Sequence, residues 1–301
     1  MTREHWLSFD EPPLDHTVLR QLLVCFAVCF AVWHVVTNLL INEPPIWQNA
    51  IHFGGFAFLA SVIFPAKIFG RSSLALDVIY GVVVALAACW VVAAESRIYE
   101  DTLAITGQSW QFNVVDWVAG IVLIFAAFDF SRRVSGWVIP ALIVLAISYI
   151  LFLGEYLPGV FRTASLPLDD ILFRTIYNDE GLFGILANIS SSNIALFMIF
   201  GGFLVVSGAS DFVIEISKVV AGRIRGGAAF VAVLSSALTG TISGSAVANT
   251  ASTGVITIPL MKASGFRGRF AAGIEAASST GGQVMPPIMG AGAFVMASYT
   301  S

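Results

Sequence analysis

Charge is what this sequence has least of. Asp, Glu, Lys and Arg make up 11 % of its 301 residues against 57 % hydrophobic, and the mean hydropathy is +0.86. Those values exclude an ordinary soluble domain and place the chain with polytopic membrane proteins. The formal net charge is −4 and no basic patch occurs, so nothing points to nucleic acid. Only three cysteines are present (Cys25, Cys29 and Cys89), all in apolar stretches, which offers neither a disulfide framework nor a zinc site. The four histidines, His5, His16, His34 and His52, crowd into the start of the chain, and no Ser/His/Asp or His/Glu metal constellation is visible. A non-enzyme is expected.

What is present is a series of apolar runs, at about 17–41, 48–66, 74–94, 113–131 and 137–153. Residues 1–16 are polar, and the first run ends at Asn42-Glu43-Pro44-Pro45 without a small-residue cleavage site, which reads as an anchor rather than a signal peptide. The connecting loops alternate in sign. Arg20 precedes the first run and Glu43 follows it; Lys67 and Arg71 follow the second. Glu95, Glu100 and Asp101 outnumber Arg97 after the third, Arg132 and Arg133 follow the fourth, and Glu155 follows the fifth. The positive-inside rule then puts the N-terminus in the cytoplasm of an inner (plasma) membrane.

Composition changes near residue 154. All seven Trp lie before residue 138, several near expected span ends (Trp47, Trp90, Trp110, Trp117, Trp137), whereas 20 of the 27 Gly lie after residue 150. Bulky aromatic spans suit a lipid-facing scaffold; small residues allow close approach and bending. The expected organisation is scaffold helices over 1–153, an outer linker over 154–180 and a Gly-rich working domain over 181–301. That domain opens with an uncharged span, about Leu182 to Ser207, then a helix over Asp211–Ala221 expected to lie along the membrane interface.

The informative stretch is Gly226 to Met261, 36 residues without a charge, of which ten are Ser or Thr and five are Gly. A single helix of that length would run roughly 54 Å, far beyond a hydrocarbon core about 30 Å thick. Basic residues stand on both sides: Lys218, Arg223 and Arg225 before, Lys262, Arg267 and Arg269 after. Both ends therefore belong on the same side, and the chain turns at Thr241-Ile242-Ser243-Gly244-Ser245. Either the stretch is a re-entrant hairpin with a polar tip inside the membrane, or it is two short spans with an outer turn. The hydroxyl-rich tip favours the hairpin, because such a tip survives at depth only against protein or a water-filled cavity.

A second interruption follows. The apolar run from Phe270 to Thr300 contains Gly281-Gly282-Gln283-Val284-Met285-Pro286-Pro287. Two glycines and two prolines predict a broken helix, with a continuous Pro-kinked helix as the alternative. Broken helices present free carbonyls on one half and free amides on the other. Ser243, Gly244, Ser245, Thr280, Gly281, Gly282, Gln283 and Pro286 supply hard oxygens or bare backbone suited to Na⁺. Val247, Asn249 and Pro287 stand at amide-rich helix starts suited to a carboxylate. Secondary transporters hold a coupling ion and an anionic substrate in this way. Glu275 is the one ionisable residue inside the last span, and reads either as functional or as an interfacial partner of Arg267 and Arg269. Asp77, Asp116 and Asp129 fall at expected span ends and read as interfacial.

Two other classes fit the residues in part. A passive pore could also be lined by broken helices, but would show neither counterflow nor saturation. A pure membrane scaffold could use the Ser/Gly tip for packing, but has no need of the GGQVMPP segment.

The segments SSALTGTISGSAVANTASTGVITIPLMKASGF and AGIEAASSTGGQVMPPIMGAGAFVMA closely resemble the large membrane subunit of TRAP (tripartite ATP-independent periplasmic) transporters. The form most similar is the fused small/large permease that works with a TAXI-type binding protein. The close match runs from about Gly181 to Ala297, and residues 17–153 look like the small subunit and connecting helix. The resemblance implies an all-α polytopic membrane protein: scaffold helices, then a re-entrant hairpin and a discontinuous helix. These form the first half of an inverted-repeat, elevator-type transporter. It implies Na⁺-coupled import of a small organic acid delivered by a periplasmic binding protein, with ion-binding positions around Ser243–Ser245 and Gly281–Pro287. Asn249 stands where many separate-subunit relatives carry Asp, so an acid's role does not carry over. The family's inverted second copy is absent from this sequence, which implies an N-terminal portion of a longer permease.

Overall fold

The computed structural model describes residues 17–41, 43–64, 74–101, 111–222, 224, 226–286 and 289–300. The loop cations Lys67, Arg71, Arg223 and Arg225 lie outside the described residues. Among the described residues every regular element is helical. Six stretches are long and apolar enough to cross a membrane: Arg20–Leu40, Pro45–Ile63, Leu74–Tyr99, Val114–Ser135, Val138–Tyr156 and Ile185–Val206. Leu22, Val32, Ile79, Leu86, Phe125 and Leu142 are all exposed, a surface solvated by lipid rather than by water. The chain is an all-α polytopic membrane protein. It divides into two compact units, Met1–Asn188 and Ile189–Ser301.

The first unit contains α1 (Thr17–Leu40), α2 (Pro45–Ile63), α3 (Leu74–Asp101), α4 (Val114–Ser135) and α5 (Val138–Ser148). Small residues let α2 and α3 pack closely: a Cβ on Gly54 would lie 2.9 Å from Ala88 Cβ, and Ala50, Ala57, Val84 and Val91 fill the seam. α1 is tied to α2 by His34 Nε2 and His52 Nδ1, 2.7 Å apart. His34 Nδ1 donates to the Phe30 carbonyl at 2.8 Å, so in the neutral ring Nε2 is the acceptor and His52 the donor. These histidines join helices. Among the described residues no group of three or more His, Cys, Asp or Glu is placed to hold a metal.

α3 outruns the apolar stretch that ends near residue 94. Its polar continuation is used: Glu95 accepts from Trp47 Nε1 at 3.3 Å, and Arg97 donates to both oxygens of Asp116 at 2.7 Å. Asp116 also completes a capping box with Asn113 at the start of α4 and accepts from Trp90 Nε1 at 2.9 Å. Expected at the interface, it is instead fully buried, because these donors satisfy both carboxylate oxygens.

The segment expected to act as an outer linker is partly core. α6 (Leu168–Leu172) runs into a π-helical turn, Phe173–Tyr177, whose Phe173, Ile176 and Tyr177 pack with Ala119 and Leu123 of α4. The Tyr177 hydroxyl donates to the Asp116 carbonyl at 2.9 Å. Burial, reinforced by the negative charge of Asp116, pushes the Tyr177 phenol above its ordinary range, so it remains a donor.

After the short α7 (Ile185–Ile189), the second unit opens with a π-helical turn, Ser190–Ile194, leading into α8 (Ala195–Val206). Then come α9 (Ala209–Ala221), α10 (Gly227–Ser243), α11 (Ala246–Ala263), α12 (Gly268–Gly281) and α13 (Ala291–Thr300). α9 matches the helix expected over Asp211–Ala221: it buries Ile214, Ser217 and Ala221 and exposes Phe212 and Val219. Ala232, Met261 and Ala271 form the small apolar centre where α10, α11 and α12 meet.

Candidate functional site

The uncharged stretch folds as a helical hairpin. α10 has 17 residues and α11 has 18, about 26–27 Å each at 1.5 Å per residue. Gly244 ends α10 with φ +61°, a left-handed conformation that glycine adopts without strain, and its N–H donates to the Gly240 carbonyl at 3.0 Å. Ser245 caps α11, its Oγ accepting from Ala248 N at 3.3 Å. The reversal takes two residues.

The second interruption is a true break. α12 stops at Gly281, a 3-10 turn covers Gly282–Val284, and the next helix begins at Ala291. Gly290 N–H returns to the Gln283 carbonyl at 2.6 Å, which holds the break as a closed loop. Pro287 lies outside the described residues.

Hairpin and break meet backbone to backbone at Gly240 and Gly282: a Cβ on Gly282 would stand 2.8 Å from Gly240 Cα. Beside this crossing sits Asn249, fully buried in the first turns of α11. Its Nδ2 donates to the Ser236 carbonyl at 2.7 Å and to Ser236 Oγ at 3.1 Å. A carbonyl can only accept, so this contact fixes which way the amide faces. Ser236 Oγ is 2.9 Å from Ser279 Oγ, which ties the hairpin to α12. Asn249 Oδ1 and Thr239 Oγ1 are then buried without a hydrogen-bond partner among the described residues. Buried polar atoms are normally paired, so two such oxygens beside one crossing mark a place built for something more than packing.

Glu275 is equally buried, between α11 and α12. It accepts hydroxyl bonds from Thr253 and from Thr257, the latter at 2.5 Å, and a longer one from Ser279 at 3.4 Å. Among the described residues it forms no ion pair, so the reading as a partner of Arg267 and Arg269 gives way to a hydroxyl-lined buried carboxylate. Gly254 stands against it, the position of a Cβ there being 3.3 Å from Glu275 Cγ.

Of the positions expected to bind Na⁺, Gly282 lies at the crossing, and Gly244 and Gln283 flank Gly290. Ser243 Oγ reaches only the Ser245 carbonyl, at 3.5 Å. Thr280 is exposed and bonded to the Ala276 carbonyl of its own helix at 2.9 Å, and Gly281, Pro286 and Val247 are also exposed. The side chains that converge on Asn249 are Ser236, Thr239 and Ser279, none of them singled out from the sequence. The signal was the four-residue spacing of Ser236 with Gly240 and of Glu275 with Ser279, which puts each pair on one helix face.

A hairpin set against a discontinuous helix is the building unit of membrane transporters whose sites lie at helix breaks. Residues 122–301 match the family model of the tripartite ATP-independent periplasmic transporter DctM component, and the chain belongs to that family. It is 35 % identical over 108 residues to the C4-dicarboxylate TRAP transporter large permease protein DctM of Pseudomonas aeruginosa, 36 % of this chain and 25 % of that protein. The protein of the same description in Vibrio cholerae is 28 % identical over 151 residues, 48 % of this chain and 33 % of that one. The 2,3-diketo-L-gulonate TRAP transporter large permease protein YiaN of Escherichia coli is 28 % identical over 117 residues, 39 % and 26 %. The matches thus span about a quarter to a third of these relatives. No solved structure matches.

Proposed function

We propose that the chain is the membrane permease component of a Na⁺-coupled secondary transporter. It imports a small carboxylate delivered by a TAXI-type periplasmic binding protein across the inner membrane, with its N-terminus in the cytoplasm. Residues 1–153 act as the small-subunit-like scaffold, 154–180 as the connection and 181–301 as the transport portion. The carboxylate class is supported by the C4-dicarboxylate and diketogulonate permeases among the relatives.

The observation that carries the reading is the pair of unpartnered buried oxygens, Asn249 Oδ1 and Thr239 Oγ1, beside the Gly240–Gly282 crossing. Hard neutral oxygens with nearby helix-end carbonyls suit a monovalent cation; the amide-rich start of α11 suits the carboxylate. Each hairpin arm is shorter than a hydrocarbon core of about 30 Å, which supports a re-entrant tip. Moving the hairpin and the break together would carry both ligands across.

The test is uptake by the full-length transporter in liposomes with its binding protein, under inward Na⁺, H⁺ or no gradient. Saturable, Na⁺-dependent uptake of an organic acid, with counterflow, is expected. Uptake indifferent to Na⁺ removes the coupling ion, and linear, non-saturable flux replaces a carrier with a pore.

A further inference from the structure

The first unit carries a second polar cluster that the transport reading does not use, at the face where α3 begins and α4 ends. A cavity of about 380 Å³ opens there, with Asp77, Tyr80, Phe128, Asp129, Arg132 and Trp137 in its wall. Arg133 is committed to the fold: it donates from Nε to Asp129 Oδ2 at 2.7 Å and from Nη1 to the Phe64 carbonyl at 2.8 Å, beneath the Tyr80 and Phe130 rings. Its side chain is only 11 % exposed.

Arg132 is different. It gives one nitrogen, Nη2, to Asp129 Oδ1 at 2.8 Å, and its guanidinium lies 5.4 Å from the centre of the Trp137 ring. No other acceptor for it occurs among the described residues, and its side chain is 36 % exposed. An arginine held flat on an aromatic face, with donors directed away from its carboxylate, is preorganised for a phosphate. Leu76 and Phe125, both strongly exposed, extend the cavity wall along the span as an apolar surface. Cationic donors at a span end beside an apolar wall match a lipid better than a soluble anion.

The charges narrow the choice. Arg132 and Arg133 are balanced by Asp129 and Asp77, so the cavity has no excess of positive charge to favour a net anion. Asp77 makes interactions of its own, yet it places a negative wall opposite the arginine. We infer that this cavity binds the headgroup of a zwitterionic phospholipid bearing a primary ammonium, phosphatidylethanolamine. Its phosphate sits on Arg132 and Trp137, its ammonium faces the acidic wall, and an acyl chain runs along Leu76 and Phe125. Phosphatidylcholine carries the same net charge but has no ammonium proton to donate, which makes it the critical control.

The full chain, purified from membranes in mild detergent, is offered phosphatidylethanolamine, phosphatidylcholine or phosphatidylglycerol of identical acyl chains. Retention is read by native mass spectrometry. One phosphatidylethanolamine should survive activation that strips other lipids, and Arg132→Gln should lower its retention about fivefold, with Arg132→Lys in between. Equal retention of the ethanolamine and choline lipids overturns the proposal, as does preference for phosphatidylglycerol or unchanged retention in Arg132→Gln. Inorganic phosphate competing at millimolar concentration would show a soluble-anion site instead, and also overturns it. If Arg132→Gln does not accumulate, the ranking of the three lipids on the natural chain decides.

Discussion

Asn249 and Ser236 are joined across the hairpin by the amide nitrogen of one and the carbonyl of the other, 2.7 Å apart. That single bond orients the amide so that its oxygen faces a buried space where it has no partner. It also sets the register of α10 against α11 one turn below the tip. The structural bond and the candidate ligand oxygen therefore belong to the same side chain, which makes this residue the most informative one to change.

Asn249→Ala should raise the Na⁺ concentration for half-maximal uptake about tenfold, the effect of losing roughly one 1.4 kcal/mol contact. Ser236→Ala, which keeps the backbone acceptor, should shift it less. Na⁺ titrations of uptake, normalised to the amount of protein in the membrane, compare the two. An unchanged titration for Asn249→Ala takes the residue out of the ion site.

The Gly240–Gly282 crossing should not tolerate a methyl group. Both atoms in the way are backbone, so no rotamer change relieves the clash, and overpacking of this kind costs about 1–3 kcal/mol. Gly240→Ala and Gly282→Ala should lower the melting temperature and abolish uptake. Gly281→Ala, which has nothing within 4 Å, should match the natural chain. Equal behaviour of all three would mean that hairpin and break do not touch.

Glu275 should matter for stability through its hydroxyl partners. Glu275→Ala removes the acceptor shared by Thr253 and Thr257 and leaves a void, a loss of about 1–3 kcal/mol. Glu275→Gln preserves the volume and should lose less, while Thr257→Val should approach the effect of the glutamine variant. Thermal unfolding in one detergent ranks the three, and a Glu275→Ala protein as stable as the natural one contradicts the buried network.

In the first unit, Asp116→Ala should be the most damaging of the aspartate changes. It strands Arg97 and the Trp90 indole and removes one half of the capping box. Breaking a buried pair costs about 3–5 kcal/mol; Arg97 is 36 % exposed, so the lower end is expected. Loss of accumulation in the membrane, partly restored by Asp116→Asn, would agree. A fully stable Asp116→Ala protein would not.

The depth of the tip can be read by chemistry. In a variant without Cys25, Cys29 and Cys89, single cysteines replacing Ser245 or Val247 should resist an impermeant thiol reagent added from outside. Val247 is 81 % exposed in the fold, so protection of that site must come from the membrane and not from packing. Rapid labelling from outside throughout the transport cycle would favour two full spans with an outer turn.

Much of this molecule was legible in one dimension because membrane insertion is a local problem. Six apolar stretches, the reversal at Ser243-Gly244-Ser245 and the break after Gly281 each follow from a few neighbouring residues. Hydrocarbon penalises charge residue by residue, and Gly and Pro act on the backbone they occupy. The same reasoning picked Thr280 for its hydroxyl, and there it erred: that hydroxyl is spent on its own helix, at the Ala276 carbonyl.

What the sequence alone determined is the class of protein, the elements and the places where the chain must bend. Tertiary structure decided which faces meet. Ser236, Thr239 and Ser279 surround Asn249 because α10, α11 and α12 pack on one small apolar centre, and Glu275 faces Thr253 and Thr257 for the same reason. Those pairings join residues 13 to 43 positions apart. Side-chain direction about a helix axis is read from periodicity, but the rotation of one helix against another is set by the contacts between them.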